Sequence, residues 1–290
     1  MVVRPPREIG LIIAFVGAFL LSFDTLLLRM IGGDPLQIAF WRGVLMFVSG
    51  LFTSRTAKRI ANMDLRMVNG PAGLVVAACY GLASVCFVTS ALLTSVANML
   101  VIVATAPLWA AIGSALLLQE ATPARTWIAS IFSFAGIILV MWPGLTQSLN
   151  TGDIIAFGAA VSMATAFVIS RRSSENLALA PATGGLLSAL TLVLFIPKLT
   201  FTDSYQYVIM ALEGAILIPL ALGLIAMAPR FLPAPQVGLF LLLETVLGPL
   251  WIWTILGEEP TRYALSGGAL VILTLLAHSI LSLGARPRPS

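Results

Sequence analysis

Residues 231–260 read FLPAPQVGLFLLLETVLGPLWIWTILGEEP. Pro233 and Pro235 can open a helix, more than twenty largely apolar residues follow, and Gly257, Glu258 and Glu259 close the run. At 1.5 Å per residue a helix of this length covers a hydrocarbon core of about 30 Å. One ionisable group, Glu244, stands halfway along it. A carboxylate at that depth costs on the order of several kcal/mol unless it is paired, hydrated or protonated. The same outline recurs about 138 residues earlier, over 95–120, as SVANMLVIVATAPLWAAIGSALLLQE; Thr245 to Glu258 and Pro107 to Glu120 are each thirteen residues. The two runs together predict a duplicated membrane protein.

Composition supports that reading. A soluble chain carries about a quarter charged residues; this one carries 10%, against 59% hydrophobic, over 290 residues. The net charge of +4 does not point to nucleic acid, because the basic residues sit in short connections between apolar runs, where membrane orientation accounts for them. Cys79 and Cys86 fall in one predicted helix, about 10 Å apart and too far for a disulfide, so they read as packing residues. Arg4, Arg7 and the apolar run after them have the outline of a signal peptide. The run is too long for one and lacks a small-x-small cleavage site, so it reads as the first helix.

Ten apolar segments separate: 9–30, 36–53, 72–92, 96–118, 125–143, 152–170, 180–197, 206–228, 234–256 and 263–283. Turn residues break them, as in Gly32-Gly33-Asp34-Pro35 and Pro233-Ala234-Pro235. Arg4, Arg7, Arg55, Lys58, Arg59, Arg66, Arg125, Arg171, Arg172, Arg230, Arg286 and Arg288 fall on one side, and only Arg29, Lys198 and Arg262 on the other. That imbalance predicts a multi-pass protein of the cell inner (plasma) membrane with both termini cytoplasmic. Trp127, Trp142, Tyr205, Tyr207 and Tyr263 lie at span ends, where interface aromatics collect. Residues 10–15 (GLIIAF) align with 152–157 (GDIIAF) at an offset of 142, which also carries Arg29 onto Arg171. Five helices per half is odd, so the second copy enters the membrane inverted, a common construction of secondary transporters.

The pattern resembles the drug/metabolite transporter superfamily, specifically its EamA-type proteins. The residues that carry the resemblance are Phe40-Trp41-Arg42, Pro107 with Gln119-Glu120, and LLLETVLGPLWIWTILGEEP over 241–260. Gln119 stands where the second copy has Gly257. The resemblance implies an all-α membrane protein of ten transmembrane helices in two inverted five-helix repeats, 9–143 and 152–283. It further implies a secondary active transporter moving a small organic metabolite or drug-like solute, such as an amino acid or nucleoside. Its expected partners are that solute, the lipid bilayer and, through coupling, protons. A homodimer stays open, and nucleic acid is not expected.

Four ionisable residues fall well inside spans: Asp24, Arg42, Glu213 and Glu244. The first three lie about 9 Å below the outer boundary at 1.5 Å per residue, and Glu244 lies nearer the midplane. Two readings stay open. In one, Asp24 and Arg42 lock helices 1 and 2 together. In the other, the set lines a central cavity where Arg42 holds a carboxylate or phosphate and an acid exchanges a proton. Three acids to one base leave at least one carboxylate without a cation, which favours proton exchange. Glu120, Glu258 and Glu259 read as capping residues or partners of Arg125 and Arg262, and His278 as a packed or hydrogen-bonded histidine. Pro107, Pro219 and Pro249 permit kinks. Gly17, Gly81, Gly158, Gly267 and Gly268 allow close helix contacts. Trp41, Trp109 and Trp251 could line a cavity or face lipid. No cofactor, metal site or catalytic residue is expected. The competing readings are a membrane-embedded enzyme acting on a lipid or lipid-linked substrate, and a channel. The first would group His and acids near one interface, and here the single histidine stands apart.

Overall fold

A computed structural model describes residues 7–60, 65–94, 96–120, 122–145, 150–196, 199–201, 203–257, 259 and 261–283. Glu258, Lys198, Arg4, Arg286 and Arg288, on which part of the sequence reading rests, lie outside the described residues. The described residues form helices joined by short turns. Among the described residues, eight helical stretches are long and apolar enough to cross a membrane, and Ala180–Leu192 and Leu265–His278 are shorter apolar helices. The helices turn large apolar side chains outward, among them Phe52, Leu116, Ile154 and Leu190, as a lipid-solvated surface requires.

The helices are α1 Arg7–Leu21, α2 Asp24–Ile31, α3 Pro35–Ile60, α4 Gly70–Leu93, α5 Val96–Val103, α6 Ala106–Gly113, α7 Ala124–Met141, α8 Thr151–Arg172, α9 Ala180–Leu192, α10 Ser204–Leu212, α11 Ile218–Met227, α12 Ala234–Leu256 and α13 Arg262–Leu283. Three spans expected to be continuous are interrupted. The first breaks at Ser22-Phe23, where Ser22 N–H reaches Phe19 O and Phe23 N–H reaches Leu20 O in a tightened turn. The fourth breaks between α5 and α6, because Pro107 has no N–H and its ring would strike the carbonyl of Val103 in an unbroken helix. The eighth contains a widened π turn, Glu213–Leu217, between α10 and α11. Pro219 accounts for this one, since the extra residue relieves the same clash. A second π turn, Ser114–Leu118, follows α6. The seventh span is also shorter than expected: α9 ends at Leu192 rather than continuing to 197.

Packing joins the two ends of the chain. The most extensive contacts run between helices before residue 145 and helices after 150: α4 with α8 and α9, α3 with α9, α7 with α13, and α1 with α11. Small residues make them possible. A Cβ on Gly43 would lie 2.4 Å from Gly185 O, and one on Gly267 would lie 2.5 Å from Gly136 O. Such approach maximises the van der Waals packing that holds helices together in lipid. Gly158 is different, since a Cβ there meets only Cys86 Sγ at an ordinary 3.4 Å. The core is rich in alanine, with Ala14, Ala110, Ala160, Ala166 and Ala226 fully buried.

Candidate functional site

The break in the first span positions the site. Ser22 is fully buried, donates to Phe19 O at 2.6 Å, and accepts Trp251 Nε1 at 2.9 Å. Phe23 stacks on Trp251 with ring centroids 4.6 Å apart, and Phe19 meets both rings edge-on. These contacts pin the C-terminal part of α12 to the break. Asp24 is the first residue of α2, where the helix dipole favours a negative charge.

Arg42, on α3, reaches Asp24 Oδ1 with Nη2 at 2.5 Å. The same nitrogen lies 2.6 Å from Glu213 Oε1. The second contact is a charge contact without hydrogen-bond alignment, and Glu213 Oε2 has no hydrogen-bond partner among the described residues. Glu213 opens the π turn, its N–H shared between Ile209 O and Met210 O, and its side chain is fully buried. Glu244 sits mid-way along α12, half-buried, within electrostatic reach of both Asp24 and Arg42. The structure thus brings all four sequence-identified residues together. The guanidinium is engaged by two carboxylates at once, one from each half of the chain, so it joins the halves as well as helices 1 and 2.

The remaining expectations divide. Glu120 does not pair with Arg125. It meets Arg171, at 3.3 Å from Nη2 and 3.4 Å from Nε, because α8 and not α7 runs past the end of the π turn. Arg125 donates instead to Leu281 O at 3.3 Å. His278 is buried and lies 3.1 Å from Thr126 Oγ1. Trp41 Nε1 donates to Leu199 O at 2.8 Å, fixing α3 near its N-terminal end. Trp109 Nε1 donates to Thr105 Oγ1 at 3.0 Å, closing over the α5–α6 break. Sequence reasoning missed the Trp251–Ser22 bond and the Arg171–Glu120 pair. A signal for the first was present: the offset of 142 also carries Pro107-Leu108-Trp109 onto Pro249-Leu250-Trp251, and both tryptophans secure a break. No group of three or more His, Cys, Asp or Glu among the described residues could hold a metal ion.

The family model described as the EamA-like transporter family matches residues 8–142 and again residues 150–280. No curated protein matches the chain. Among 28 matching chains of solved structures, one described only as a protein crystal structure is similar over 95% of this chain and 99% of its own, with TM-score 0.78 and 17% identity. That likeness shows a shared fold.

Proposed function

Because the chain belongs to the EamA-like transporter family, we propose that it is a secondary active transporter carrying a small organic metabolite or drug-like solute across the inner (plasma) membrane by alternating access. In this reading the eight long helices and the two shorter apolar ones all cross the bilayer. They form inverted repeats, 9–143 and 152–283, with both termini cytoplasmic. Maleimide labelling of cysteines placed at Lys58 and Asn150 checks the orientation, since they should report opposite sides.

The observation that carries the proposal is the placement of Arg42 between Asp24 of the first half and Glu213 of the second. Rocking one half against the other must change that contact. Glu244 adds a third carboxylate at the seam, near the midplane, where repeat interfaces place solute and coupling ions. A proton arriving on one carboxylate frees Arg42 from it, and the guanidinium can then hold the remaining acid or an anionic group of the solute. Protonation of either Asp24 or Glu213 leaves the other matched one-to-one with Arg42. The same arithmetic allows either proton coupling or solute exchange.

The test is flux into proteoliposomes of a panel of labelled amino acids and nucleosides, with and without a pH gradient. Saturable uptake that collapses in Arg42→Ala, while the variant remains folded in the membrane, is expected. Non-saturable uptake of every solute would overturn the carrier reading.

A further inference from the structure

We propose that Arg171 and Glu120 form a cytoplasmic latch, which clips α8 to the end of the fourth span and must open in each transport cycle. The proposal rests on the carrier reading above and concerns a different place in the fold, at the opposite end of the bundle from Arg42.

Arg171 is the penultimate residue of α8, in the second half, and Glu120 follows the π turn that ends the fourth span, in the first half. The guanidinium also donates from Nη1 to Pro229 O at 3.3 Å and to Arg230 O at 3.5 Å, in the turn that joins α11 to α12. One side chain therefore ties together three elements, two of them from one half and one from the other. All four contacts, 3.3 to 3.5 Å, are at the long end for hydrogen bonds. The Arg42 contacts, by comparison, are 2.5 and 2.6 Å. The Glu120 side chain is 37% exposed, so water screens the pair. Such a pair holds a closed state without making it permanent.

The closed seam beneath it carries features that favour opening. Ser114 Oγ, one π turn inward from Glu120, is buried with no hydrogen-bond partner among the described residues, as is Ser170 Oγ beside Arg171. A buried hydroxyl without a partner regains one when water enters. Gln119, which aims Glu120 at Arg171, is held at φ 55°, and it is the single non-glycine residue among those described with positive φ. A side chain there opposes the conformation. Gly113 lies so close to Val168 of α8 that a Cβ would stand 3.2 Å from Val168 Cγ2, so the two elements touch along the seam.

The test labels Ser114→Cys with a membrane-impermeant maleimide from the cytoplasmic side, in a chain with Cys79 and Cys86 replaced by alanine. Labelling should be slow, and Glu120→Gln should speed it by about twofold to fivefold, the range that a partly exposed ion pair supports. Arg171→Gln, which removes the cation and with it the charge-assisted bonds to Glu120, Pro229 O and Arg230 O, should speed it at least as much. Ser133→Cys, buried on α7 away from the seam, should stay slow in every variant. An unchanged rate in Glu120→Gln or in Arg171→Gln would overturn the latch. A rise at Ser133→Cys in parallel would show general loosening and overturn it as well. Labelling needs no solute, so it decides the latch alone, whereas the flux panel decides the carrier reading.

Discussion

Replacing Arg42 separates the structural share of the four-residue cluster from its share in transport. In Arg42→Ala, Glu213 keeps a fully buried carboxylate with no cation beside it, and Asp24 loses its hydrogen bond. Leaving one partner of a buried ion pair uncompensated costs about 3–5 kcal/mol. Glu213→Gln should behave differently. Arg42 retains Asp24 at 2.5 Å, the lost contact was poorly aligned, and a neutral amide relieves the desolvation of a buried charge. Its cost should stay within about 1 kcal/mol, because neutral replacements of buried charges are often tolerated. The two effects are coupled: adding Glu213→Gln to Arg42→Ala should recover a large part of the loss, since the orphaned charge is gone. Unfolding of purified protein in mixed detergent micelles, titrated with dodecyl sulfate, measures all three variants. Equal destabilisation by Arg42→Ala and Glu213→Gln, with simple additivity in the double variant, would refute the claim that Arg42 compensates both acids.

Glu244→Gln should fold normally and lose pH-dependent net flux while solute exchange survives; an unchanged pH profile of net flux in proteoliposomes removes Glu244 from the coupling step. Gln119→Gly should stabilise the protein by about 1 kcal/mol, because glycine adopts φ 55° without steric cost, and the same detergent titration reads it. Gly267→Val should abolish the folded-protein peak in size-exclusion chromatography, since even its Cβ would lie 2.5 Å from a backbone carbonyl of α7.

The spans were legible in the sequence because lipid solvates each helix on its own: about twenty apolar residues suffice, whatever the neighbours do. Thus α12 covers Ala234–Leu256 where 234–256 was expected, and α13 covers Arg262–Leu283 against 263–283. The internal repeat and the unusual position of Asp24, Arg42, Glu213 and Glu244 were legible for the same reason, since charge inside an apolar run stands out without any knowledge of packing. Breaks were harder. Pro107 and Pro219 marked where a helix could bend, but whether it breaks, as at Ala104-Thr105, or widens into a π turn, as at Glu213, depends on what packs alongside. No proline marked Ser22-Phe23, where a tryptophan from α12, over two hundred residues away, holds the turn. Pairing was decided by tertiary structure alone. Arg42 had Asp24 and Glu213 at its own depth and Glu244 deeper, and Glu120 had Arg125 five residues away. Depth along a helix is a local quantity, whereas the direction a side chain faces depends on how each helix is rotated against its neighbours. Those rotations were set by glycine contacts between the halves, Gly43 on Gly185 and Gly136 on Gly267. Gly43 stands next to Arg42 on α3, which reaches both Asp24 and Glu213, while Gly113 against Val168 lays the fourth span along α8, whose Arg171 meets Glu120.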